Sequence, residues 1–106
     1  MRTGPENTVK AKVKKLLDAH KIFHIPIAAS PYGVGGISDR LCCLPNGRFM
    51  AIECKAPGKR PTRLQEEFLR GVAKNNGIAL VIDGDEALEG LKGYLVNRYY
   101  EHDSAL

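Results

Sequence analysis

Residues 39–55 restrict the fold more than any other part of the chain. Two apolar stretches, Asp39 to Leu44 and Arg48 to Lys55, flank Pro45-Asn46-Gly47. Proline suits the first central position of a type I turn and asparagine tolerates the second. Glycine supplies the left-handed residue that follows, which makes a three-residue hairpin loop with a bulge at Gly47. Leu44 then pairs with Arg48, and Asp39 falls opposite Glu53. A loop one residue shorter or longer would put those two acids on opposite faces. Glu53 and Lys55 are two apart and share a face, while Ile52 and Cys54 point the other way. Leu41, Cys43, Phe49 and Ala51 make one face otherwise apolar, and Cys42, Leu44, Met50 and Ile52 the other. A sheet covered on both sides is expected.

Apolar spacing supplies the remaining elements. Residues 5–20 read as a helix with Pro5 in its first turn and Val9, Val13, Leu16 and Leu17 as its stripe. Ile22 to Ala29 reads as a short strand, with Phe23, Ile25 and Ile27 alternating and Pro26 pushing it to a sheet edge. Residues 30–38 form a glycine-rich loop, without the complete GxxxxGK[ST] or GxGxxG pattern that nucleotide binding would require. Residues 56–61 are a basic loop. Thr62 then caps a helix to about Asn76, with Leu64, Phe68, Leu69 and Val72 facing inward and Gly77 ending it. Ile78 to Ile82 is a continuous apolar strand. A last helix from about Asp85 carries Leu88, Leu91, Leu95 and Tyr99. The expected order is α-β-β-β-α-β-α, an α/β fold with a mixed β-sheet flanked by helices.

At 106 residues the chain is expected to form a single domain over residues 1–106. No apolar run approaches the roughly 20 residues of a membrane helix. The first helix is rich in lysine and does not resemble a signal core, which argues against secretion. Cys42, Cys43 and Cys54 lack metal-ligand spacing and read as small buried hydrophobes in a reducing cytoplasm. Charge is uneven: residues 1–63 hold twelve Lys/Arg against four acids, and residues 64–106 hold four against eight. A basic front half suits a polyanion, although a solubilising surface explains the same excess.

Three of the four front-half acids, Glu6, Asp39 and Glu53, occupy unusual places. Glu6 lies nearly in line with the core-facing stripe of the first helix, where it also serves as a favourable first-turn acid. Asp39 and Glu53 sit side by side with Lys55 on an otherwise apolar face. Adjacent carboxylates repel, and protonation or a cation relieves them. A few oxygen ligands suit Mg²⁺, which keeps waters and completes its shell with phosphate oxygens. Lys55 would then offset charge developing on phosphate. The plainer reading is a Glu53–Lys55 ion pair on an exposed strand.

The ordered set Glu6, Gly36-Ile37-Ser38-Asp39, Glu53-Cys54-Lys55 and Gln65 resembles the PD-(D/E)xK nuclease superfamily, and within it the VRR-NUC family of small stand-alone phage and bacterial proteins. The resemblance spans about residues 5–83. It implies a restriction-endonuclease-like fold and Mg²⁺- or Mn²⁺-dependent DNA phosphodiester hydrolysis. It also implies Asp39, Glu53 and the main-chain carbonyl of Cys54 as metal ligands, and Lys55 as the catalytic lysine. Glu6 would be an acid near the metal and Gln65 a glutamine lining the site. Ser38 stands where the superfamily often has proline. Thr62 and Gln65 also form a capping box, which accounts for Gln65 without any catalytic part.

Lys59, Arg60 and Arg63, with Lys10 and Lys14 of the first helix, are candidates to bind flanking phosphates, the helix lysines being equally suited to a solvated face. The expected activity is that of a structure-selective endonuclease on branched or four-way (Holliday) junction DNA. A homodimer would cut two strands, and a helicase or recombination protein is a candidate partner. The competing readings are a nuclease-like module that binds nucleic acid without cutting it, and a protein-interaction domain that uses the acidic second half. His20, His24 and His102 have no recognisable ligand spacing. Tyr94, Tyr99 and Tyr100 suit packing, a dimer surface or base stacking.

Overall fold

The computed structural model describes residues 4–28 and 35–99. Helix α1 (Pro5–Ala19) leads into strand β1 (Phe23–Pro26), then β2 (Arg40–Cys43) and β3 (Phe49–Cys54). Helix α2 (Arg63–Lys74), strand β4 (Ile78–Ile82) and helix α3 (Asp85–Gly93) follow, and the chain continues from α3 as a π-helical segment over Tyr94–Tyr99. This is the α-β-β-β-α-β-α order expected from the periodicity. The sheet runs β1-β2-β3-β4, antiparallel except for the parallel β3–β4 pair. A four-stranded mixed sheet flanked by three helices is consistent with a restriction-endonuclease-like fold.

The hairpin adopts the register that its turn chemistry dictates. Arg40 pairs with Ile52 and Cys43 with Phe49. Gly47 sits at φ +87°, and its N–H donates to the Leu44 carbonyl at 2.7 Å. Asn46 Oδ1 accepts from the Arg48 N–H, which closes the turn from the side-chain side.

One face of the sheet carries the main core. Val9, Val13 and Leu17 of α1 and Leu91 and Leu95 from the last helical stretch pack on Cys42, Leu44, Met50, Ile52, Cys54 and Ile82. Each of these side chains is removed from water almost entirely, a gain of about 1.5–3 kcal/mol for the larger ones. Helix α2 packs against β3 and β4 on the opposite face, where Ala51 is fully buried.

Four expectations need correction. The second face is covered over β4 and the later part of β3 and left open elsewhere: Phe23 is 72% exposed, Ile25 47%, and Phe49 at the start of β3 42%. An alternating apolar pattern states which side chains share a face but not how far one helix reaches across it. Cys43 lies on this open part and is exposed, unlike the buried Cys42 and Cys54. Strand β1 is shorter than expected, four residues ending at Pro26, with one further bond on the β2 side from the Ile27 N–H to the Asp39 carbonyl; Ala29 lies outside the described residues. Helix α2 is not ended by Gly77: Asn76 takes the left-handed position at φ +72°. Gly77 serves closeness instead, since a Cβ there would lie 2.7 Å from Val72 Cγ1. Residues 30–34, Tyr100 and His102 lie outside the described residues, as does the side chain of Tyr99.

Candidate active site

The two acids meet because the hairpin register extends one pair beyond its last ladder bond. Arg40 opposes Ile52, so Asp39 reaches the level of Glu53 and Cys54. There the Cys54 N–H donates to Asp39 Oδ2 at 2.7 Å. The backbone of Asp39 is fixed on its other side by the Ile27 N–H, which donates to its carbonyl at 2.8 Å. Asp39 is thus clamped between β1 and β3 before any ligand is considered.

Glu53 is the anomaly. It is 1% exposed in the middle of an apolar face, and its Oε1 is buried without a hydrogen-bond partner among the described residues. Its Oε2 lies 3.5 Å from Lys55 Nζ. Burial pushes the carboxyl up, the charge of Asp39 adds to that, and Lys55 offsets only part, which leaves a pKa of about 7. A surface ion pair does not describe this group, because both side chains are largely removed from water.

Helix α1 delivers two further charges. Lys10 Nζ stands 3.3 Å from Glu6 Oε2 and 3.6 Å from Asp39 Oδ1, bridging the helix and the hairpin. Partial burial pulls the pKa of Lys10 down, but Asp39 and Glu6 outweigh that pull and hold it above the ordinary lysine value. Lys10 was a candidate for flanking phosphate, yet its ammonium lies inside the acidic cluster. The signal was present in the sequence, since Glu6 and Lys10 are four apart on one helix.

The other candidate residues make their contacts outside this cluster. Gln65 occupies the capping box: Thr62 N–H donates to its Oε1 at 2.8 Å, and its own N–H donates to Thr62 Oγ1 at 3.2 Å. Lys59 and Arg60 line an open groove with Arg70 of α2, a residue that the sequence reading did not single out. Arg63 is highly exposed and pairs with Glu67, and Lys14 pairs with Asp18 at 2.9 Å. His24, in contrast to its isolation in the sequence, bridges Asp18 at 2.7 Å and Arg40 at 2.6 Å. Arginine only donates, so the His24 Nδ1 accepts and its Nε2–H faces Asp18. This tie fastens the end of α1 to β1 and β2 next to Asp39.

A cation fits the acidic cluster only in a sparse way. Among the described residues no group of three or more His, Cys, Asp or Glu side chains is arranged to hold a metal ion. What the site offers is two hard carboxylates, one with a buried unpartnered oxygen, beside the Cys54 main chain. That set suits an oxygen-seeking divalent ion that keeps most of its waters. The cysteine sulfurs do not contribute, because burial raises the Cys54 thiol to about 12 and points it into the core.

No family model matches the chain. A stretch of 33 residues is 54% identical to a protein of Acyrthosiphon pisum secondary endosymbiont phage 1 named "Putative nuclease p44", covering 31% of this chain and 36% of the phage protein. The chain is therefore similar to about a third of that relative's length. Among the described residues no helix is long and apolar enough to cross a membrane.

Proposed function

We propose that the chain is a metal-dependent DNA endonuclease of the VRR-NUC kind that hydrolyses phosphodiester bonds. The observation that carries this reading is the buried Glu53 carboxyl beside Asp39, with Lys55 on the same face. A buried acid that leaves one oxygen unpaired costs stability, and a phosphate-handling site gives that cost a purpose. The relative's name points the same way.

In this reading Asp39 and Glu53, with the Cys54 carbonyl, hold Mg²⁺ or Mn²⁺. When bound, the ion supplies Lewis-acid stabilisation of phosphoryl charge and lowers the pKa of a water. The chain's own groups do the rest. Cys54 N–H fixes Oδ2 of Asp39, which leaves Oδ1, now 3.6 Å from Lys10, as the oxygen that would meet an ion. Glu53 orients the Lys55 ammonium, which meets negative charge developing on a non-bridging phosphate oxygen. Glu6 would hold the Lys10 ammonium from the helix side once an ion met the Asp39 charge, and Gln65 would line the site from the start of α2. Lys59, Arg60 and Arg63 bind phosphates beside the scissile bond. Two copies of the chain acting as a homodimer would cut the two strands of a branched or four-way junction, with a helicase or recombination protein as a partner.

The second reading is a module that binds nucleic acid without cutting it. It is favoured by Lys10, whose ammonium already offsets the Asp39 charge with no ion required. A labelled panel of single strand, duplex, splayed arm, flap and four-way junction separates the two. Cutting with Mg²⁺ or Mn²⁺ that EDTA and Lys55→Ala both abolish is expected. Tight binding with no cutting under any metal would leave the binding module.

A further inference from the structure

A groove beside α2 joins Lys59 and Arg60 to Arg70, a cation that the proposed chemistry does not use. The groove has a volume of about 660 Å³ and lies between the basic loop, α2 and β4. Its floor is the face of the sheet that carries the acids: Val81 and Ala79 line it, and they pair with Glu53 and Ala51 in the parallel ladder. The groove thus lies one strand away from Glu53 on the same sheet face. Lys59 and Arg60 come to it from the basic loop and Arg70 from α2. The lining also contains two acids, Glu66 and Asp83.

We propose that this groove holds an unpaired DNA strand next to the bond that is cut, so that the substrate class is DNA with a single-stranded flank. The inference rests on the nuclease reading for the word "cut" but not for the binding. Three cations lining one groove suit one row of phosphates running along it. The apolar floor suits sugars and base faces, which a duplex hides in its stack, and arginine planes of Arg60 and Arg70 can stack on exposed bases. Glu66 and Asp83 decide against a duplex. They would repel a second row of phosphates, whereas the amino edges of unpaired bases are donors that carboxylates accept. Arg70 is therefore a binding residue for the strand, reached from α2 and not from the basic loop.

The test measures binding of a fluorescein-labelled twelve-nucleotide single strand and of the matching duplex by anisotropy. It is run on the whole chain in EDTA over a salt series, so cleavage plays no part. Arg60→Ala and Arg70→Ala change exposed side chains, and circular dichroism melts confirm that both variants fold. Each is expected to weaken single-strand binding at least about fivefold and to flatten the salt dependence by about 0.7 of a slope unit. Duplex binding should change less than twofold. Arg48→Ala, whose side chain is held at the hairpin end by the Asn76 carbonyl, should behave as wild type. Unchanged affinity and slope in both variants, or equal losses on single strand and duplex, would overturn the proposal. Failure of the nuclease reading looks different: no cutting in Mg²⁺ or Mn²⁺, with the single-strand preference and its dependence on Arg70 intact.

Discussion

Asp39 Oδ2 accepts the main-chain N–H of Cys54 at 2.7 Å, so one of the two central acids is also a structural tie between β3 and the start of β2. The tie needs an acceptor but not a charge. Asp39→Asn keeps the carbonyl oxygen and removes the repulsion with Glu53, whereas Asp39→Ala leaves the N–H without its partner. Asp39→Asn is expected to melt at or above the wild-type temperature near neutral pH. Asp39→Ala should be less stable than Asp39→Asn by about 1–3 kcal/mol. Both should lack cleavage. Urea unfolding of the two variants in parallel reads the difference directly, and equal stabilities would remove the structural role.

Glu53 makes stability depend on pH in an unusual direction. Its folded pKa of about 7 lies above the ordinary 4.5, so between those values the folded state holds a proton that the unfolded state has released. Stability from this group is therefore fully present below about pH 4.5 and is lost as pH rises through 7, with a slope of at most about 1.4 kcal/mol per pH unit. The difference between wild type and Glu53→Gln in urea midpoint should fall steadily across that window and level off above it. A difference that is flat from pH 4 to 8 would mean that the carboxyl titrates alike in the folded and unfolded chain.

The register of the hairpin was legible because Pro45, Asn46 and Gly47 each demand a particular backbone conformation, and one turn fixes every pair behind it. That alone placed Asp39 beside Glu53. The open sheet face was not legible: Phe23, Ile25 and Phe49 alternate in the same way whether or not a helix covers them. Only the distance that α2 spans across the sheet decides it. Likewise, His24 and Arg40 are sixteen positions apart, and nothing local announces their contact. Arg70 was passed over because a cation on an amphipathic helix ordinarily faces water.

In the proposed site Lys10 would compete with a divalent ion for the Asp39 carboxylate. The ammonium stands 3.6 Å from Asp39 and 3.3 Å from Glu6, and its raised pKa keeps it charged at working pH. Lys10→Met should cost the ion-free protein no more than about 1 kcal/mol, as for a partly exposed pair. The same change should tighten Mn²⁺ binding by about tenfold, because a like charge within about 4 Å opposes the ion by at least 1 kcal/mol. Thermal shifts over a Mn²⁺ titration measure this without any substrate, since binding to the folded state alone raises the melting temperature. Weaker Mn²⁺ binding in Lys10→Met would show that the lysine supports the ion and does not compete with it.

Gly36 couples the segment leading to Asp39 with the first turn of α2. Its φ is +82°, and a Cβ there would lie 2.7 Å from the Leu64 main-chain carbon, its oxygen and its Cβ. Alanine therefore meets two separate obstacles, a left-handed backbone costing about 1–2 kcal/mol and a backbone collision that no rotamer change relieves. The segment must back away from α2, and Asp39 is only three residues further on. Gly36→Ala is expected to lower stability by at least about 2 kcal/mol and to reduce the cleavage rate at saturating substrate by ten times or more, since misplacement of about 1 Å in a catalytic group has effects of this order. Gly47→Ala is the matched comparison, because Gly47 has a similar φ of +87° but nothing within 4 Å of the added atom. It should lose comparable backbone energy and retain the rate. If both variants lose the rate alike, the effect comes from global destabilisation and not from the contact between Gly36 and Leu64.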